Sequence, residues 1–241
     1  MNLDALTVTG RTLGEELAAA APSFPQQVVR PIGNPVFKGG SIAVLRGNLA
    51  PDGAIIKQAA MDPKLARHEG RAVVFESLED LANRIDDPKL DVTAKDILVC
   101  KNAGPKGAPG MPESGYLPIP KKLAQAGVKD MVRISDARMS GTAFGSIVLH
   151  VTPESAMGGP LALVKNGDRI LLDVPKRRLE LKVSPGELAK RKKAWRKPAA
   201  RPEDRRGYRK LFMETVTQAD RGCDFDFCVP PPTTRAPRAK R

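Results

Sequence analysis

Two short runs hold the residues best suited to chemistry. Gly104-Pro105-Lys106-Gly107-Ala108-Pro109-Gly110-Met111-Pro112-Glu113 is too rich in glycine and proline for a helix or a central strand. It reads as a loop whose backbone approaches something closely, and it ends in a carboxylate. Ser135-Asp136-Ala137-Arg138-Met139-Ser140-Gly141-Thr142 places hydroxyl, carboxylate and guanidinium groups together, directly after the strand-like stretch Asp130 to Ile134. That is the pattern of a strand followed by a reactive turn.

Each group admits a chemical and a structural role. A serine hydroxyl such as Ser140 is a poor base unless its anion is stabilised. A Ser-Gly-Thr run on its own also suits an ordinary turn or cap. Gly141 lets the backbone come close, with its amide available to developing charge, and Thr142 adds a hydroxyl within reach of a polyol. Glu113 suits a hard, oxygen-seeking cation or is an exposed loop carboxylate. Arg138 either clamps a carboxylate with its planar fork or, as expected here, pairs with Asp136 to fix the turn. Lys106 reads as a solvated loop lysine rather than an anchor for an anion. His68 and His150 have no second metal-type ligand at short spacing and are expected to be structural.

Around these runs the chain is punctuated into short elements. Leu13 to Ala21 reads as a helix stopped by Pro22, and an extended, proline-rich connector runs on to Lys38. From Gly39, strands are predicted at Ser41–Leu45, Ala54–Lys57, Ala72–Glu76, Asp96–Val99, Asp130–Ile134, Phe144–Val151, Ala162–Val164, Arg169–Val174 and Arg178–Val183. Helices are predicted at Ser77–Asp86, with Ser77 as N-cap, and at Pro120–Ala126, Pro185–Lys197 and Arg209–Ala219. Short strands with few helices imply an α+β fold built round a barrel-like sheet. The expected domains are a linker over 1–38, a main domain over 39–229 and a disordered basic tail over 230–241.

Composition narrows the function classes. The 241 residues, 41% of them hydrophobic, allow a substantial core. No apolar run approaches the roughly 20 residues needed to span a bilayer, so the chain is expected to be soluble and cytoplasmic. Cys100, Cys223 and Cys228 are odd in number and contain no Cys-x-x-Cys pair, which argues against a disulfide framework and a self-contained cluster site. Of the net charge of +13, most lies beyond Gly186, where sixteen Lys and Arg face seven Asp and Glu. The run Lys190 to Lys197 could hold phosphates but reads as a solvated helix face, and with aromatics at 4% nucleic acid is not the expected partner.

Taken together, Gly39 to Phe227 resembles the C-terminal domain of the dihydroxy-acid and phosphogluconate dehydratase family. The matching pieces are Gly39-Gly40-Ser41, Gly47-Asn48-Leu49-Ala50-Pro51-Asp52-Gly53-Ala54, the Gly104–Glu113 loop and the Ser135–Thr142 turn. Ser-Asp-Ala-Arg-Met-Ser-Gly-Thr, Gly207-Tyr208-Arg209-Lys210 and Gly222-Cys223-Asp224-Phe225-Asp226-Phe227 look like the sugar-acid (arabinonate or xylonate) branch. The resemblance implies a swivelling-domain fold and a hydro-lyase that turns a 2,3-dihydroxy acid into a 2-keto-3-deoxy acid. It also implies Mg²⁺ and a 2Fe–2S cluster, with the cluster cysteines and most Mg²⁺ ligands on an N-terminal domain that this chain does not contain. By the same resemblance Glu113 matches a Mg²⁺ ligand and Ser140 the serine whose alkoxide takes the C2 proton; from their own chemistry Thr142 is expected to act beside Ser140, and Arg138 and Gly141 to bind substrate. Such a chain is expected to be a truncated product or one piece of a split enzyme, inactive alone, completed by an N-terminal domain and homo-oligomeric when whole. The alternative is a stand-alone binding module that engages nucleic acid or a protein through its basic C-terminal region.

Overall fold

Eight short strands, β1 (Ile42–Gly47), β2 (Ala50–Lys57), β3 (Arg67–Phe75), β4 (Ile97–Cys100), β5 (Arg133–Ser135), β6 (Ile147–Thr152), β7 (Arg169–Asp173) and β8 (Arg178–Leu181), close into a mixed barrel of order β1-β2-β6-β5-β4-β3-β7-β8. The computed structural model describes residues 1–21, 27–113, 117–199 and 201–229. The tail expected over 230–241 lies outside them. The described chain forms two compact units, Met1–Lys38 and Gly39 onward.

Strand alternation sorts the core. Val74, Val99, Ile134, Val148, Ile170 and Leu179 pack together as the barrel's filling. Their neighbours Val73, Phe75, Leu98, Cys100 and Leu149 face the other way, under α2 (Leu78–Arg84) and α3 (Lys121–Gln125). The parallel pairs β3/β4 and β4/β5 carry α2 and α3 on their crossovers, the parallel pair β5/β6 is joined without a helix, and β4 is buried at every residue. Ser77 caps α2 by accepting from the Asp80 amide at 3.1 Å.

Closure depends on Gly47 and Asn48. β1 meets β8 at one residue pair, Arg46 with Arg178. A side chain at Gly47 would run into the Leu179 carbonyl at 2.1 Å, so only glycine lets the strands approach. Asn48 then completes the seam like a short strand, donating to the Leu181 carbonyl and accepting from the Leu181 amide.

Some expected boundaries shift. The strand expected at Ala162–Val164 is a 3-10 turn over Pro160–Leu163, because Leu161 and Val164 bury at a three-residue spacing behind a leading proline. β5 starts three residues late because the Asp130 carboxylate takes up the amides of Asp62, Met131 and Ser146. The same carboxylate delays β6, with Gly145 at φ +96° where a side chain would strike Asp130 and Arg133. Two helices complete the larger unit, α4 (Pro185–Ala194) and α5 (Gly207–Thr215). α4 begins on the Ser184 cap with Pro185 in its first turn. In the first unit, the helix α1 (Leu13–Ala19) starts on a Thr12/Glu15 capping box.

Candidate active site

The C-terminal ends of the adjacent parallel strands β4 and β5 open into the two reactive runs, which pair with each other. Glu113 and Arg138 form a parallel bridge. Arg138 donates through Nε to the Met111 carbonyl at 2.8 Å and through Nη2 to Glu113 Oε1 at 2.5 Å. This corrects the expected Arg138–Asp136 pairing: the guanidinium belongs to the neighbouring loop, and both side chains stay half-exposed. The Ser140 hydroxyl and the Arg138 guanidinium hold the Glu113 carboxyl below its usual range. The buried Ser140 Oγ accepts from the Thr142 amide at 3.2 Å and shares a hydrogen bond with Thr142 Oγ1 at 3.0 Å. Gly141 is exposed, and a side chain there would meet nothing within 4 Å.

Asp136 has a different task. It is buried and accepts from the Ala103 amide at 2.9 Å and the Ser155 amide at 2.8 Å, so it ties the Gly-Pro loop to the segment after β6. Glu154 continues the brace by accepting from the amides of Lys106 and Gly107 and from Gln218. Burial pushes both carboxyls above their ordinary pKa. The loop glycines therefore serve the protein's own packing. A side chain at Gly104 would reach Glu154 Oε2 at 2.6 Å, and one at Gly107 would press on the Asn102 backbone at 2.8 Å. Lys106 is not a solvated lysine: its ammonium donates to the Met213 and Glu214 carbonyls near the end of α5.

Glu113, Ser140 and Thr142 border a cavity of about 180 Å³, whose wall includes Leu117, Arg133 and Phe144. A larger cavity of about 700 Å³, lined by Glu76, Lys106, Asp204 and Met213 among others, includes none of these three. Lys57 on β2 donates to the Gly141 carbonyl at 2.7 Å, and His150 Nε2 on β6 accepts from the Met139 amide at 2.7 Å. Neither residue is marked by a local motif. His68, near the start of β3, pairs with the Lys95 carbonyl.

Glu113 offers one hard oxygen beside a serine hydroxyl, which fits a shared Mg²⁺ ligand. Among the described residues no group of three His, Cys, Asp or Glu could hold a metal ion. The cysteines do not suit a cluster either. Cys100 is buried with its thiol pushed up to about 12, Cys223 packs on the Met111 sulfur at 3.3 Å, and Cys228 is exposed. In the basic run, Arg191 is bonded to Asp168, Glu187 and the Leu163 carbonyl, and Lys192 to the Gly158 carbonyl. Among the described residues no helix is long and apolar enough to cross a membrane.

Residues 27–223 match the profile of the dihydroxy-acid/6-phosphogluconate dehydratase C-terminal domain. The chain is 51% identical over 230 residues to a 6-deoxy-6-sulfo-D-gluconate dehydratase of Pseudomonas putida, covering 94% of this chain and 39% of that protein. It is 49% identical over 233 residues to an L-arabonate dehydratase of Azospirillum brasilense, covering 95% and 40%. With a dihydroxy-acid dehydratase of Desulfosudis oleivorans it shares 43% identity over 223 residues, covering 92% and 39%. The chain thus spans about two fifths of the length of these relatives. With a matched profile over most of its length and a paired Glu113 loop and Ser140 turn at the strand ends, the chain belongs to the dihydroxy-acid/6-phosphogluconate dehydratase family, as its C-terminal part.

Proposed function

We propose that this chain supplies the proton-accepting side of a sugar-acid dehydratase and acts with an N-terminal portion like that of its relatives. In the reaction, the C2–H bond breaks and its electron pair forms the C2=C3 double bond. The C3–O bond breaks with loss of hydroxide, which leaves as water, and the enol tautomerises to a 2-keto-3-deoxy acid. Ser140, as its alkoxide, is the group that takes the C2 proton, and that proton passes on to the departing hydroxide to make the water. The observation that carries this reading is its hydroxyl, buried at the cavity edge and oriented by the Thr142 amide at 3.2 Å.

Glu113 would hold Mg²⁺ through the oxygen Arg138 leaves free, and the cation, when bound, stabilises an oxyanion and the substrate's carboxylate end. Arg138 keeps Glu113 ionised and aimed into the cavity. Thr142 holds the serine oxygen and offers a second hydroxyl to a polyol substrate. Gly141 leaves space for the substrate to lie against the turn. The sugar-acid branch is favoured because relatives at about half identity act on six- and five-carbon sugar acids by name, while the dihydroxy-acid dehydratase stands at 43%. The cluster chemistry of the family has no ligand set in this site and is assigned to the N-terminal portion.

The test joins this chain to the N-terminal portion of the Azospirillum relative and assays a panel of aldonic acids. Ser140→Ala should lower kcat by about 10² or more with the fold intact, the scale of lost acid–base catalysis. Near-normal turnover in the variant would show that another group takes the proton.

A further inference from the structure

β6 carries an irregularity whose consequence is felt at the reactive turn. On β2, Gly53 and Ile55 are two residues apart, whereas their partners on β6, Thr152 and Leu149, are three apart. One extra residue is accommodated in β6, and the interior phase shifts with it: Val148 and Val151 both fill the barrel. The backbone turns left-handed at His150, with φ +53°, a region that favours glycine. A bulge of this kind re-aims a side chain.

His150 is aimed at the turn and holds it twice. Its amide donates to the Ala137 carbonyl at 3.0 Å, and its Nε2 accepts from the Met139 amide at 2.7 Å. An Nε2 that accepts must be unprotonated, so the ring proton sits on Nδ1. Ser140 is the next residue along the chain. On its far side, Lys57 of the paired strand β2 fixes the Gly141 carbonyl. The turn between β5 and β6 has no strand or helix ladder of its own across Met139–Thr142, so these side chains replace one.

We propose that His150 is a positioning residue: the β6 bulge directs its imidazole onto the Met139 amide and thereby sets the direction of the Ser140 hydroxyl. The proposal rests on the reading of Ser140 as the proton acceptor. Its left-handed backbone is maintained at a position where glycine would be free of strain, which fits a side chain kept for what it binds.

The test uses the 241-residue chain labelled with ¹⁵N on histidine and methionine. Near neutral pH, His150 should show a protonated Nδ1 and a bare Nε2. His150→Gly keeps the bulge strain-free, and it should lose at least about tenfold of the Met139 amide's exchange protection. His150→Gln, whose amide oxygen takes the place of Nε2, should restore it. A proton on Nε2, or unchanged protection in His150→Gly, overturns the proposal. The wild-type tautomer and the Gln variant decide the matter even if His150→Gly does not fold. In the joined enzyme, His150→Gly should lower kcat about tenfold with little change in KM, and Gln should recover it. Unchanged kcat there, beside an inactive Ser140→Ala, sinks the positioning role alone. An active Ser140→Ala sinks the dehydratase assignment of Ser140, while the tautomer and exchange results still stand or fall separately.

Discussion

Glu113 and Ser140 answer to different partners, and substitutions should separate them. Glu113→Gln keeps the side-chain shape but loses the negative charge that Arg138 and Ser140 favour. In the joined enzyme it should weaken Mg²⁺ activation, and raised Mg²⁺ should restore part of the rate while leaving Ser140→Ala unrescued. The half-buried His150 gives a second prediction. Burial, helped by Arg138, lowers its pKa below the ordinary value of 6.5. Below pH 6.5 the unfolded chain therefore binds a proton that the native state does not, and stability falls as pH falls, by at most about 1.4 kcal/mol per pH unit. Asp136 and Glu154, raised by burial, have the opposite sign: the native state keeps their protons longer, so they lose stability as pH rises through their raised values. Comparing urea midpoints of wild type and His150→Gln at pH 7.5 and 5.5 isolates the histidine. An equal pH loss in both proteins would assign the slope elsewhere.

At the level of elements, the run Lys190–Lys197 shows how a charge pattern divides once a helix packs. α4 turns Arg191 against Asp168, at 2.5 Å, with both side chains about nine-tenths buried. Lys190, one residue earlier, is exposed. Arg191→Ala strands the Asp168 carboxylate and should cost about 3 kcal/mol in chemical denaturation, the lower end for breaking a buried pair. Lys190→Ala should stay within about 0.5 kcal/mol. Equal effects from the two would mean α4 does not dock as described. The loop before Glu113 follows the same logic. Its glycines make room for Glu154 and Asn102, so the Glu113 carboxylate is positioned by packing at the loop's base.

For the molecule as a whole, the barrel concentrates its risk at one seam. β1 and β8 share one residue pair, and Gly47 and Asn48 make the remaining approach. Gly47→Ala forces the Leu179 carbonyl away and should destabilise the domain by about 1–3 kcal/mol, the range for overpacking. Thermal unfolding reads this directly; a midpoint equal to wild type would show that β8 is free to shift. The reactive turn and its brace sit on β4, β5 and β6, across the barrel order from this seam. A weakened seam should therefore lower stability before it alters the Ser140 geometry.

The two runs could be found in the sequence because glycine, proline and hydroxyl spacing are local properties, and so are the apolar alternation of the strands and the Ser77 and Ser184 caps. The resemblance to a dehydratase domain was legible for the same reason: it rests on contiguous motifs. The partners were not. Whether Arg138 turns to Asp136 or to Glu113 depends on the parallel pairing of two loops that lie 25 residues apart in the chain. Lys57 reaches Gly141 across 84 residues, and no spacing rule connects them. A lone histidine inside a strand carries no local sign of the bulge that re-aims it. The glycines of the Gly104–Glu113 loop announced a close approach, but only the folded chain shows that Glu154 and Asn102 are what they approach. Local geometry is written in neighbouring side chains, whereas the pairing of buried donors and acceptors is decided by which strands the closed barrel sets side by side.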